Sequence, residues 1–209
     1  MSGFAVNPGP PPGETASHLL AYAGANHSAI LIGGWLQVTG TLVLAVFALA
    51  LASSAGFLGR VSGAVLVVGL CTLLAVSLGE MVCYAGLASS HGATVRVAAD
   101  LIPGVQHGYT IVAAPLVFLA LGMGILRSAS LPKTLAMAAL GFGITFWVLG
   151  LVGVIASIQP LVDFFAGFQA LWWVVAAATV GLRGVGRASG AEAGGPPGPG
   201  APLAPATAS

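Results

Sequence analysis

Residues 61–79, VSGAVLVVGLCTLLAVSLG, run for nineteen positions without a charged side chain and are closed by Glu80. At about 1.5 Å of rise per residue, a helix of that length reaches about 28 Å, close to the roughly 30 Å hydrocarbon core of a bilayer. The stretch predicts a membrane span. Four other apolar runs of similar length flank it, giving expected spans near residues 28–52, 61–87, 107–126, 134–157 and 161–182. The fold class that follows is all-α, an integral membrane bundle of five transmembrane helices.

Composition agrees with this reading. A soluble domain carries about a quarter charged residues, whereas this chain of 209 residues has 5% charged and 57% hydrophobic and a mean hydropathy of +1.02. With a net charge of +1 and no run of Lys or Arg, nothing points to nucleic acid, and the expected surroundings are the lipid bilayer and partner membrane subunits. Cys71 and Cys83 lie twelve residues apart in one span, about 18 Å along a helix, too far to bond to each other.

The expected domain plan has three parts. Residues 1–27 read as a flexible tail with a short interfacial helix over 15–24, capped by Thr15 or Ser17; without Lys, Arg or an apolar core they carry no expected secretory signal. The five-helix domain occupies residues 28–183. Residues 184–209, rich in Gly, Pro and Ala, read as a disordered tail. Between the second and third spans, residues 89–106 hold His91, Arg96, Asp100 and Pro103 and read as the longest polar connection. Pro115 in the third span predicts a kink.

With five spans, Arg60, Arg127, Lys133, Arg183 and Arg187 fall on one side and only Arg96 on the other. The positive-inside rule then makes the first side cytoplasmic, with the N-terminus outside and the C-terminus cytoplasmic.

Few side chains in the spans can carry chemistry. Glu80 shares a helical face with Ser62, Gly69, Leu73, Val76 and Tyr84. A charged residue at mid-bilayer costs about 2.5 to 3.5 kcal/mol, so Glu80 is expected either at the interface, or buried in a structural hydrogen bond, or in a ligand or proton site. Gln37 and Gln169 lie at similar depth and could join Glu80 around one small cavity, although hydrogen bonds of this kind most often serve to pack helices. The candidate ligand or proton site is therefore Glu80, Gln37, Gln169, His107 and Tyr84. His27, His91 and His107 share the outer side and are weak metal candidates with Glu80 or Asp100, because their spacings match no ligand motif. A heme is disfavoured, since paired axial histidines are expected deeper in the spans. No lysine within a span offers a Schiff base, and no Gly-x-Ser-x-Gly, His-Glu-x-x-His, Cys-x-x-Cys or P-loop motif occurs. The sequence names no cofactor.

The segments QVTGT (37–41), SLGE (77–80) and QHGYTIVAAPLVFLALG (106–122), with the turn at Leu131 and Pro132, resemble a family of uncharacterised bacterial multi-pass membrane proteins classed under a domain of unknown function. The resemblance implies a helical bundle in a bacterial inner membrane and assigns no activity. Three functions stay open on the sequence. One is a non-enzymatic accessory or scaffold subunit, or a small-ligand binder of an inner-membrane assembly. The second is a transporter or channel component using Glu80, and the third an outer-leaflet lipid or quinone enzyme with Glu80 and His107 as acid and base.

Overall fold

The computed structural model describes residues 15–89, 91–156 and 159–193. Among them there are helices and connecting turns but no strand. In chain order the elements are α1 (Ala16–Ser54), α2 (Val61–Leu87), α3 (Gly92–Gly108), a π turn (Tyr109–Ala113), α4 (Ala114–Ser128), α5 (Lys133–Gly153) and α6 (Gln159–Ala193). α3, the π turn and α4 form one continuous rod, so five helical rods are long and apolar enough to cross a membrane. The protein is a multi-pass, all-helical membrane bundle. Its outward side chains are apolar, as lipid requires: Val43, Val46, Val61, Val68, Val82 and Ile155 are more than half exposed.

The rods differ in length. α5 has 21 residues, about 31 Å, and so matches the hydrocarbon thickness. α1 has 39 residues and the α3–π–α4 rod 37, about 58 and 55 Å, so both reach well past the end of α5. The glycines fix how the rods lie against each other. Gly86 faces Thr94 and Ala98, Gly79 faces Val105, Gly108 faces Val76, and Gly69 faces Leu116 and Val117. α2 therefore runs antiparallel to the whole α3–π–α4 rod. On its other side Gly122 meets Leu140, Gly143 meets Leu119 and Gly150 meets Ile111, which brings the end of α5 level with the π turn. Beyond that level α1, α2 and α3 continue as a three-helix extension around Leu19, Ile30, Tyr84, Leu87, Val95 and Ala98.

Several sequence expectations are corrected. Residues 89–106 are not a polar connection: from Gly92 onward they form α3. Val95 and Ala98 are buried against the first two helices, while Arg96 and Asp100 form an exposed pair at 4.0 Å on the opposite face. The third span accordingly begins at Gly92 rather than near residue 107. The short helix expected over 15–24 is the start of α1, capped by Thr15, whose hydroxyl accepts from the His18 backbone N–H. α1 bends only at Asn26 (φ −116°, ψ 16°), where the side-chain amide donates to the Tyr22 carbonyl at 3.0 Å. Residues 1–14 lie outside the described residues. α5 ends at Gly153, not near 157. The tail expected from 184 is helical to Ala193, and residues 194–209 lie outside the described ones.

Pro115 produces a π turn rather than a sharp kink. Proline has no N–H, and its ring crowds the carbonyl four residues back. The turn ahead of it widens, so that the Ala114 N–H bonds the Tyr109 carbonyl five residues back. Pro115 then occupies the first turn of α4, where a missing N–H costs least.

Candidate functional site

Glu80 is 5% exposed. It lies on α2 where α1 and α3 cross it, about one helical turn from the level at which α5 ends. Each neighbouring rod supplies one amide. The Gln37 Nε2 of α1 donates to Glu80 Oε2, and the side chain of Gln106, on α3, lies near the carboxyl group. One turn along both helices, Thr41 Oγ1 and Ser77 Oγ pair at 2.9 Å. Small residues permit this approach: Gly34, one turn before Gln37, lets the Tyr84 ring lie against α1. The site is thus a buried carboxyl group bonded to one neutral amide and close to a second. Among the described residues, the buried Gln37 Oε1 has no hydrogen-bond donor.

Other expected members of the site go elsewhere. Gln169 is buried but accepts from the Tyr109 hydroxyl, forming a second polar pair between the π turn and α6. The single cavity lined by Gln37, Glu80 and Gln169 is therefore replaced by two pairs, joined through the helical turn that carries Gln106 and Tyr109. Tyr84 packs in the apolar cluster of the three-helix extension. His107 does not face Glu80. Its Nδ1 lies 3.0 Å from the Pro103 carbonyl and its Nε2 2.9 Å from the Gly153 carbonyl of α5, so the acid–base pairing of Glu80 with His107 is not formed.

The weak metal candidates also separate. The His27 Nδ1 lies 3.0 Å from the Ala88 carbonyl at the end of α2, and His91 is exposed at the start of α3. No group of three or more His, Cys, Asp or Glu side chains converges among the described residues. Trp172 and Trp173 are buried, whereas Trp35 and Trp147 are more than half exposed, so the tryptophans do not line one surface. The tryptophan pair instead clusters with Phe118 at centroid distances of 5.3 and 5.5 Å.

Sequence reasoning missed Gln106. It sits at the boundary of a stretch read as connection, and only the register of α3 against α2 aims it at Glu80. The signal was the 3.6-residue apolar period Val95, Ala98, Ile102, which continues helix through Gln106.

No protein-family model, curated protein or solved structure matches this chain.

Proposed function

We propose that the chain is a non-enzymatic multi-pass protein of the bacterial inner membrane, a small-ligand binder within a membrane assembly, and that its binding group is Glu80 with Gln37 and Gln106. The observation that carries this reading is the buried Gln37 Oε1, an acceptor without a donor beside a buried carboxyl group. An unsatisfied buried acceptor costs about 1 to 3 kcal/mol, and the acceptors named at the site, the Glu80 carboxyl group and the Gln37 amide oxygen, are oxygens. Oxygen ligands in a dry site favour a hard, small cation. The ligand proposed is therefore a small monovalent cation such as sodium or potassium. In this reading the basic side chains Arg60, Arg127, Lys133 and Arg183 lie in the cytoplasm and the three-helix extension projects outside.

The test uses protein in nanodiscs at one pH, with NaCl, KCl or choline chloride as the probe. Binding at 100 times Kd adds about 2.7 kcal/mol of stability. The wild type is expected to melt higher in sodium or potassium than in choline, and Glu80→Gln to melt at one temperature in all three. Equal melting of the wild type in all three salts would overturn the reading.

A second reading, a transporter component, is favoured by the placement of Gln106 and Tyr109 on one helical turn, which connects the Glu80 pair to the Gln169 pair across the bundle. Its test is flux into proteoliposomes that Glu80→Gln abolishes.

A further inference from the structure

α2 and α3 share an outward apolar face that continues past the end of α5. Gly86 of α2 faces Thr94 and Ala98 of α3, and Gly79 faces Val105, so Val82 stands level with Leu101. Leu78 and Val82 on α2 and Val97 and Leu101 on α3 are all more than half exposed. Spacings of three and four residues carry the same face down α2 through Ala75 to the exposed Cys71. Lipid tails cover its lower part. α5, which matches the hydrocarbon thickness, ends at Gly153, level with His107, and Val97 lies ten residues farther along the rod, about 15 Å. Headgroups add only about 5 to 8 Å on each side of the hydrocarbon core. Val97 therefore stands clear of the bilayer and Leu101 at its edge, and neither lipid tails nor any other described side chain shields them from water.

The charges beside this face fit a copy of itself. Among the described residues of the three-helix extension, the exposed charged side chains besides histidines are Arg96 and Asp100, one turn apart on α3. A two-fold axis sets residue i of one copy against residue j of the other, and j against i. One cation and one anion at the rim thus meet their complement in a second copy, where two like charges would repel. A second copy in the same bilayer orientation also brings an extension of the same height. We infer that the α2–α3 face is the interface of a homodimer, two copies side by side about an axis along the membrane normal. Between tails and helices there is little hydrophobic force, so removal of Val97 and Leu101 from water drives the association, and the Arg96 and Asp100 charges fix its register. The dimer is independent of any ligand at Glu80.

The test is made on the full chain in liposomes, with a spin label on the exposed Cys71, Cys83 being buried. The wild type should give one intermolecular distance between labels, lost when unlabelled protein is mixed in. Leu101→Glu should raise the dimer dissociation constant at least about tenfold, whereas Ile32→Glu, on α1 and also more than half exposed, should leave it unchanged. Arg96→Asp should weaken the dimer, and Arg96→Asp combined with Asp100→Arg should restore it. If Leu101→Glu does not fold, Val97→Ser serves in its place. A monomeric wild type, a dimer undisturbed by substitution on the α2–α3 face, one broken by Ile32→Glu, or a charge exchange that restores nothing overturns the proposed interface. Dimerisation only after residues 1–14 are removed would assign the face to that segment of the same chain and would overturn it equally.

Discussion

The seam between α4 and α5 and the docking of α6 are built in opposite ways. Along the seam, glycines let backbone meet side chain and backbone directly. A Cβ on Gly143 would lie 2.7 Å from Leu119 Cγ and 3.0 Å from its backbone nitrogen, and one on Gly150 2.9 Å from the Ile111 Cα and nitrogen. α6, by contrast, reaches the bundle through the ends of large side chains. Trp172 donates from Nε1 to the Leu135 carbonyl at 2.9 Å, Trp173 lies edge-on to Phe47 at 6.1 Å, Gln169 takes the Tyr109 hydroxyl, and Arg183 donates to the Ser130 carbonyl. Within lipid there is little hydrophobic force between helices, so close packing and hydrogen bonds must hold them. The seam depends on many short contacts distributed along its length. α6 depends on a few anchors, each of which matters more.

That contrast can be broken at an anchor. Truncating a buried Trp or Phe costs about 3 to 5 kcal/mol, and lipid tails filling the space bring Trp172→Ala to about 3 kcal/mol, the low end. The loss should be seen as release of α6 in distance measurements between spin labels on the exposed Lys133 and Leu182, with α4 and α5 still paired. If the seam opens with α6, the two interfaces are not independent.

The seam itself is tested by two alanines on one helix. Gly150→Ala drives a methyl group into the Ile111 backbone within the π turn and should destabilise the protein by about 1 to 3 kcal/mol in denaturant titration. Gly141→Ala, with nothing within 4 Å of its new Cβ, should change stability by no more than about 0.5 kcal/mol. Equal effects would mean that glycine content, not close approach, sets the stability of α5.

The smallest effect expected is at Gln169. Membrane hydrogen bonds average about 0.6 kcal/mol, so Gln169→Leu should cost about that much in the same titration. A loss several times larger would make the Tyr109 pair the principal anchor of α6 instead of Trp172.

Much of this architecture was legible in residues 61–79, because a long apolar run bounded by Arg60 and Glu80 has few fates outside lipid. α3 was less legible. Arg96, Asp100 and Pro103 carry the marks of a loop, yet they face away from the buried Val95 and Ala98 or are accommodated within the helix. Glu80 and Gln37 could be picked out as polar residues in apolar runs, and the structure pairs them. The third partner could not be picked out in this way. Whether Gln106 or Gln169 meets Glu80 is decided by the sliding register of α2 against the α3–π–α4 rod, which the glycines set by contact with neighbours distant in sequence. Depth estimates along single helices place residues at a level without saying which way they face across the bundle.

The measurement that bears most directly on the account is the infrared difference spectrum of the protein in nanodiscs between sodium and choline, read for the carboxyl group of Glu80. The account predicts a carboxyl band that shifts when the cation is exchanged and is missing from Glu80→Gln. A spectrum that is flat in this region for the wild type, or a band that persists in Glu80→Gln, would contradict it.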